Sequence, residues 1–384
     1  MKTAWVRTTL GEIAEIVSGA TPKTSVGEYW GGGIPWVTPK ELSGLEGSSI
    51  ASTERTLTDT GLRSCAASLL PRQSVLLSSR APIGLVAIND VPMATNQGFK
   101  SLVPDDDRVD AKFLYWWLRS HRARLEAMGN GATFKEVSKK VVHGVEIDLP
   151  ALAEQRQIAA VLDAAEALRQ KRRSALAKLD DLKQAIFHDM FGAFGDSPQR
   201  VPLGEFMAAK KKSIDPRKFP EETFELFSIP AFDSGAPEIV SGRDVGSSKQ
   251  LLELEDVVLS RIVPHIRRAW VVESDSGRRT IGSSEWIIFR SNRFVPAYLR
   301  QVLVSDRFHR AFMQTVAGVG GSLLRARPSH VAEIEVPFPP LEGQRRFEEK
   351  LSAVEAMRDR LRRSLDSLAI LFASLQQRAF RGEL

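Results

Sequence analysis

The chain has 384 residues, of which 43% are hydrophobic and 26% are charged. That composition is typical of a soluble globular protein, and the length exceeds what one hydrophobic core ordinarily supports, so we expect at least two domains. The net charge of +6 and the isoelectric point near 9.4 favour an acidic partner such as nucleic acid.

The cysteine count and the hydropathy pattern bear on the compartment. The single cysteine, Cys65, excludes an internal disulfide and a multi-cysteine zinc site. The N-terminal residues lack the apolar core of a signal peptide, and no uninterrupted apolar run approaches the roughly 18 residues of a membrane span. We therefore expect a cytoplasmic protein with no membrane partner.

In chain order, the first segment is a globular unit at residues 1–149. Short hydrophobic runs bounded by glycine, proline and polar residues predict strands, among them residues 74–80 and 83–88. Residues 111–128 carry apolar side chains at helical spacing, and residues 141–149 predict a final strand. This unit is expected to mix helices and strands.

A long helix is predicted next, at residues 150–192. Pro150 stands in the first turn, where a helix accepts proline, and Gly192 ends the pattern before a linker at residues 193–199. Such a helix is longer than an ordinary globular helix and needs a partner along its length.

The second half of the chain repeats this order, with a globular unit at residues 200–338 and a long helix at residues 339–384. The pair Gln155-Arg156 recurs 189 positions later as Gln344-Arg345, Phe191 recurs at the same offset as Phe380, and Ser79-Arg80 is matched with Ser260-Arg261. We predict an α+β fold in which two tandem globular units are separated by two long helices.

Each long helix carries apolar or small residues at alternating steps of three and four, which predicts a coiled-coil seam. The repeat makes the two helices natural partners, although two unrelated surface helices would also satisfy the pattern. The predicted seam positions are Ile158, Val161, Ala165, Leu168, Ala175, Leu179, Leu182 and Ile186 in the first helix, and Leu351, Val354, Leu361, Leu365, Leu368, Phe372 and Leu375 in the second.

No catalytic motif stands out. The sequence lacks a phosphate-binding loop, a dinucleotide fingerprint, a His-Glu-x-x-His pair and the active-site motif of an adenine methyltransferase. Its six histidines never fall at metal-ligand spacing. We predict no catalytic residue and no metal site in this chain.

Polar and basic residues at predicted strand ends and loops are candidates for contacts with DNA, because Arg and Lys bind phosphates and guanine, and Asn and Gln suit adenine. The alternative is a solvated surface, since acidic residues are interspersed; the duplication favours function, because two similar modules suit two half-sites. The candidates are Ser79, Arg80, Asn96, Gln97, Lys100, Thr133, Lys135 and Lys139 in the first unit, and Ser260, Arg261, His265, Arg267, Arg268 and Ser322 in the second.

The whole chain resembles the specificity subunits of type I restriction-modification enzymes. The resemblance rests on Leu149-Pro150-Ala151-Leu152-Ala153-Glu154-Gln155-Arg156-Gln157-Ile158, Pro340-Leu341-Glu342-Gly343-Gln344-Arg345-Arg346, the Ala379–Leu384 tail, and the motifs at residues 32–37 and 258–261. It implies two target recognition domains, at residues 1–149 and 200–338, and two spacer helices packed as an antiparallel coiled coil with pseudo-two-fold symmetry. Gly343 departs from the helix-opening motif of the first half, in which the matching residue is Glu154.

The resemblance further implies which residues and partners matter. The helix residues expected to dock subunits and pair the helices are Gln155, Arg156, Ile158, Leu168, Leu179, Gln344, Arg345, Leu361, Leu368 and Phe380. Expected partners are double-stranded DNA, two methyltransferase subunits and restriction or translocase subunits. The chain itself is expected to bind no cofactor, with S-adenosylmethionine, ATP and Mg²⁺ on the partner subunits.

Two alternatives to this function stay open. The chain could serve a methylation-only or phage-defence system as a specificity-like subunit, or it could be a coiled-coil assembly protein with no role on DNA. Salt-dependent binding to duplex DNA separates the last alternative from the others.

Overall fold

The computed structural model describes residues 5–131, 135–192, 199–209, 212–273, 276–317 and 324–384. The chain folds into two compact units. Unit 1 comprises Met1–Arg173 and Ser364–Leu384, and unit 2 comprises Ser174–Arg363. Each unit therefore holds one globular part together with a portion of both long helices.

The globular part of unit 1 alternates strands with short helices. Its strands are β1 (Val6–Thr9), β2 (Ala14–Ser18), β3 (Trp30–Val37), β4 (Ser49–Ile50), β5 (Thr56–Leu57), β6 (Val75–Leu77), β7 (Val86–Asn89), β8 (Ala94–Thr95), β9 (Lys100–Pro104) and β10 (Glu146–Leu149). Its α-helices are α1 (Leu10–Ile13), α2 (Pro39–Ser43), α3 (Asp59–Arg63), α4 (Ala111–Ser120), α5 (Arg122–Ala127) and α6 (Lys139–His143), and a 3₁₀ turn covers Gly27–Tyr29.

The long helix α7 (Leu152–Phe191) follows, and unit 2 then repeats the mixed pattern. The strands of unit 2 are β11 (Arg200–Pro202), β12 (Ser213–Ile214), β13 (Thr223–Phe227), β14 (Glu238–Ser241), β15 (Lys249–Leu251), β16 (Val257–Ser260), β17 (Ala269–Val271), β18 (Thr280–Gly282), β19 (Trp286–Phe289), β20 (Val316–Ala317), β21 (Arg325–Ala326) and β22 (Glu335–Pro337). Its α-helices are α8 (Ile229–Ser234), α9 (Pro296–Val304), α10 (Asp306–Gln314), α11 (Pro328–Ala332) and the long α12 (Leu341–Ala379), and 3₁₀ turns cover Leu203–Phe206, Pro216–Lys218 and Gly242–Asp244.

Among the described residues, three sheets form in unit 1 and four in unit 2. Unit 1 has the five-stranded order β2-β9-β6-β7-β4, the three-stranded order β5-β3-β8 and the pair β1-β10. Unit 2 has the five-stranded order β12-β15-β18-β13-β14, the three-stranded order β17-β16-β19 and the pairs β11-β22 and β20-β21. The middle strands β6 and β16 are wholly buried, which suits their Val-Leu-Leu and Val-Val-Leu runs.

The prediction of two long helices is confirmed, with α7 two residues inside its predicted start and α12 beginning at Leu341. The predicted strand at residues 141–149 is partly wrong. Residues 139–143 form α6 and only Glu146–Leu149 is a strand, and likewise α11 precedes β22. A short apolar run such as Val141-Val142 fits either a strand or a helix turn, and here Ser138 caps the helix by accepting a hydrogen bond from Val141 N.

The two long helices pack antiparallel within each unit. In unit 1 the guanidinium of Arg169 lies 4.6 Å from the Phe372 ring, and the Gly382 region contacts Trp5, which donates to Glu154 at 3.0 Å. In unit 2 Lys183 pairs with Glu355 at 2.5 Å, and Phe187 lies 5.6 Å from Phe347. Within each unit, residues later in α7 thus contact residues earlier in α12, as antiparallel packing requires.

The core of each unit joins the globular part to this helix pair. In unit 1 Phe113 and Trp116 of α4 pack edge-on against Phe380 and Phe372, at centroid distances of 5.7 and 5.6 Å. In unit 2 Tyr298 of α9 contacts Phe187 and Phe191 of α7. Because the aromatic side chains of α4 and α9 are almost fully buried against the long helices, each globular part is fixed to its helix pair by apolar burial.

Candidate nucleic-acid interface

In unit 1, one carboxylate holds two of the predicted DNA-contacting cations. Lys100 Nζ lies 3.2 Å from Glu136 Oε1, and Arg80 Nη1 lies 3.7 Å from Glu136 Oε2. The backbones of Arg80 and Glu136 also form an antiparallel bridge. Lys100 is only 9% exposed, whereas Arg80 and Glu136 are about one-third exposed. Arg80 is therefore the member of this cluster that offers charge to a ligand.

Unit 2 builds a similar cluster around Glu285. Arg261 Nε lies 2.8 Å from Glu285 Oε2, and Arg325 Nη2 lies 3.4 Å from Glu285 Oε1. Burial raises the pKa of the Glu285 carboxyl, but hydrogen bonds from Arg325 and Arg261 outweigh burial and hold that pKa below its usual range. The carboxylate therefore stays ionised at neutral pH and orients two guanidinium groups at the surface.

Backbone hydrogen bonds show which residues of the two units are structurally equivalent, and they correct the match that the sequence suggested. Ser79 O accepts from Val137 N at 3.0 Å, and Arg261 O accepts from Ala326 N at 2.8 Å. Ser79 therefore corresponds to Arg261, and not to Ser260 as predicted. The predicted match of Ser79-Arg80 with Ser260-Arg261 is therefore shifted by one residue. The shared Ser-Arg dipeptide suggested that alignment, but the backbone hydrogen bonds of the strands show a different one.

Besides Lys100, three predicted DNA contacts are buried, and the structure does not offer them to a ligand. Ser79 and Ser260 are each 1% exposed, and Ser260 Oγ donates to Ile262 O at 3.0 Å. Arg268 is 7% exposed, and its Nε and Nη2 both donate to the Asp233 carboxylate at 2.8 Å. These assignments are corrected: Ser260 is the last residue of β16, Ser79 lies two residues beyond the end of β6, and Arg268 links the β16–β17 turn to α8.

The other polar candidates are more accessible. Asn96 is half-buried and its Oδ1 accepts from Gly98 N at 2.9 Å, which fixes a turn at this point. Arg267 is exposed, and it donates to Val304 O at 3.1 Å and pairs with Asp306 at 2.6 Å. The remaining exposed candidates are Gln97, Lys135, Lys139 and His265. Thr133 and Ser322 lie outside the described residues.

The repeated glutamines at the helix starts are buried structural links. Gln155 is 0% exposed; its Oε1 accepts from Asp110 N at 2.9 Å, and its Nε2 donates to Arg108 O and Pro150 O at 3.0 and 2.8 Å. Gln344 is also 0% exposed, and it accepts from Val295 N and donates to Pro339 O, both at 2.8 Å.

The two glutamines act at equivalent places. Asp110 and Val295 are the N-cap residues of α4 and α9, so each glutamine ties the first turn of a long helix to the start of a helix in the globular part. The neighbouring arginines are exposed instead: Arg156 approaches Asp110 at 3.9 Å, and Arg345 lies on the surface. The Gln-Arg motif thus combines one buried link with one exposed cation.

The predicted helix seam is partly wrong. Ile158 and Leu179 are buried, and Leu361 and Leu368 are half-buried, as expected for the seam, whereas Phe380 lies just past α12 and packs against Phe113 of α4. Leu168 is 41% exposed and does not lie in it. The same error affects Val161 and Leu182, which are 38% and 41% exposed.

Buried charged side chains on the long helices are another feature that the apolar pattern could not show. Glu166 is 7% exposed and lies 2.5 Å from Arg169 and 3.5 Å from Arg173. Lys183 is 8% exposed and is paired with Glu355. Glu136 and Glu285, which hold the surface cations, were also missed, because a search for DNA contacts by residue type overlooks carboxylates.

The structure also bears on metals and membranes. Among the described residues, no group of three or more His, Cys, Asp or Glu side chains is placed to hold a metal ion. No described helix combines the length and apolar character needed to cross a membrane.

A family model described as the type I restriction modification DNA specificity domain matches residues 2–178. Residues 2–178 are thus similar to the DNA specificity domain of type I restriction-modification systems. The specificity subunit of the MjaIX enzyme from Methanocaldococcus jannaschii is 35% identical over 189 residues, which are 49% of this chain and 44% of that protein. The EcoR124I/EcoR124II specificity subunit from Escherichia coli is 26% identical over 183 residues, which are 46% of this chain and 44% of that protein.

The chain therefore spans less than half of the length of these two relatives of the specificity family. A solved chain from a type I restriction-modification system, reported for its complex assembly and conformational transition, has the same fold. Its TM-score is 0.63 at 18% sequence identity, and the match covers 99% of this chain and 98% of that one.

Proposed function

We propose that the chain is the DNA sequence-recognition subunit of a type I restriction-modification complex. In this proposal the globular parts at residues 1–149 and 200–338 are target recognition domains, and together they read a bipartite, asymmetric site. The supporting observation is that the two units share a backbone arrangement but differ on the surface. Both have the same pattern of strand hydrogen bonds and the same buried glutamine link, yet their surface cations come from different backbone positions.

The proposal assigns the chemistry to partner subunits. The chain would scaffold two methyltransferase subunits that transfer a methyl group to adenine N6 from S-adenosylmethionine, and restriction subunits would use ATP and Mg²⁺. The chain itself would bind no cofactor and act in the cytoplasm. The absence of a methyltransferase motif in its sequence supports this division.

Mapping of methylated adenines tests the proposal. A host that lacks endogenous adenine methylation would express the methyltransferase subunit alone, the chain alone, or both together. We expect methylation at one asymmetric bipartite motif only when both are present. Methylation by the chain alone would overturn the division of roles, and methylation without dependence on the chain would overturn the recognition role.

A coiled-coil assembly protein without a DNA role is the second candidate, since the long helix pair alone would suit it. Binding of the full chain and methyltransferase to duplex DNA at rising salt separates the two. A recognition subunit should lose affinity steeply, because each phosphate contact releases a counterion. An assembly protein should show no salt-dependent DNA binding.

A further inference from the structure

An arginine in the first globular part is held by stacking on tryptophan. The Arg55 guanidinium carbon lies 3.6 Å from the centroid of the Trp30 ring and 5.4 Å from that of Trp36. The two indoles meet edge to face, with centroids 5.0 Å apart and an interplanar angle of 81°. Tryptophan is the strongest aromatic partner for a cation, so the stack fixes the guanidinium plane.

The backbone beneath this stack is also fixed. Trp36 N donates to Arg55 O at 3.1 Å, and Trp36 is only 4% exposed. The preceding residue is anchored as well, because Glu54 N donates to Glu41 Oε1 at 2.9 Å. Both the main chain and the side chain of Arg55 are thus oriented before any ligand arrives.

The charge of Arg55 is not neutralised by an ion pair within the described residues. Arg55 is exposed, and no carboxylate among the described residues forms an ion pair with it. Arg80 and Arg261, in contrast, share a glutamate with a second cation. The donors of the Arg55 fork are therefore available to an acceptor outside the protein.

The strand that follows Trp30 leaves room for a large ligand. A Cβ added at Gly31 or Gly33 would meet nothing within 4 Å, whereas one at Gly32 would lie 2.4 Å from Leu57 O. Internal packing thus explains the glycine at position 32. The positive φ of 81° favours glycine at position 31, and no packing contact accounts for the open surface at position 33.

We propose that Arg55 reads the edge of a guanine in the major groove of the half-site bound by the first globular part, with Trp30 as its positioning residue. The inference rests on the proposed function. A guanine offers O6 and N7 in one plane, which suits a guanidinium whose plane is already set. A phosphate can also accept a two-pronged contact, so phosphate binding is one outcome of the test.

The test compares variants of the full chain in complex with its methyltransferase subunit, using a pool of duplexes with randomised sequence. R55K keeps the charge but removes the two-pronged fork, and W30F weakens the stack while it keeps an aromatic ring. R7K is the matched control, because Arg7 is an exposed arginine of the same unit that is paired with Asp148.

We expect the wild-type complex to select a bipartite motif. R55K should lose preference for guanine at one position of one half-site by roughly 5- to 150-fold, the range for a good two-pronged contact, and keep the other half-site. W30F should lose part of the same preference and keep the other half-site. R7K should select the wild-type motif.

Several results would overturn the proposal. If R55K selects the wild-type motif with unchanged preference, Arg55 does not read a base. If R55K weakens binding equally for all sequences and lowers the salt slope by about one, Arg55 contacts a phosphate instead. If W30F keeps the full guanine preference, Trp30 does not position the fork. Failure of the wild-type complex to select any motif would refute the proposed function itself.

Discussion

The buried glutamine at the start of α7 should contribute much more to stability than its neighbours on the same turn. Replacing Gln155 by alanine removes three hydrogen bonds, and it leaves Pro150 O buried and Asp110 N and Arg108 O partly buried without that partner. Each unsatisfied buried group costs about 1–3 kcal/mol, and the vacated volume adds to the loss. We expect a destabilisation of unit 1 by about 3 kcal/mol or more.

Thermal unfolding together with hydrogen exchange measures this effect. For a unit of this size, about 3 kcal/mol corresponds to a fall of roughly 6–12 °C in Tm. Hydrogen exchange read by mass spectrometry is needed because two units need not unfold together. It should place the lost protection around the start of α4 and the first turns of α7.

The matched control is Gln157→Ala, because Gln157 is exposed two residues further along α7. That variant should change the free energy of unfolding by less than about 0.5 kcal/mol. Gln344→Ala should destabilise unit 2 in the same way but by less than Gln155→Ala destabilises unit 1, since Gln344 makes two such hydrogen bonds rather than three. Equal stability of the Gln155→Ala and Gln157→Ala proteins would refute the assignment of a structural link.

Three further outcomes follow from the structure. Leu162→Ala should cost about 3 kcal/mol in thermal unfolding, because Leu162 is fully buried, whereas Leu168→Ala should cost under about 1 kcal/mol; equal costs would contradict the corrected seam. Lys183→Ala should destabilise unit 2 by about 1 kcal/mol in urea unfolding, since Glu355 loses its lysine but keeps Arg358 at 3.0 Å, and a neutral result would contradict a structural ion pair. The pKa of Glu285 is lower in the folded than in the unfolded protein, so its carboxylate stabilises the fold above the unfolded pKa of about 4.3, and this stability is lost as the pH falls through the folded pKa. Glu285→Gln should therefore make the free energy of unfolding depend less on pH on the acid side.

The long helices could be predicted from sequence because their pattern runs over many turns. The start and end signals lie within two residues of the observed bounds of α7. The seam within the helix was harder to predict. Leu168 fits a heptad of apolar residues yet faces solvent, while Glu166, two residues earlier, is buried by its arginine partners. An apolar pattern cannot identify a buried helix position that is occupied by a paired charge.

The candidate interface was predicted less well, for a reason that lies in strand register. A shift of one residue turns a side chain to the other face of a strand, and the sequence match of Ser79-Arg80 with Ser260-Arg261 contains such a shift. Only the backbone hydrogen bonds to Val137 and Ala326 reveal it. Residue type correctly suggested Arg80 and Arg261 as surface cations but could not show that Arg268 is committed to Asp233.

The corrected register also explains how two units with the same backbone arrangement can present different surfaces. Glu136 forms a backbone bridge with Arg80, and Arg325 occupies the equivalent place opposite Ile262. The glutamate that gathers the cations thus enters from the segment before α6 in unit 1. In unit 2 it enters from the turn before β19, where Glu285 O accepts from Arg261 N as Gly98 O accepts from Ser79 N. Charge of opposite sign at equivalent backbone positions makes it unfavourable for both units to bind the same arrangement of phosphates and bases, so we expect the two half-sites to differ in sequence.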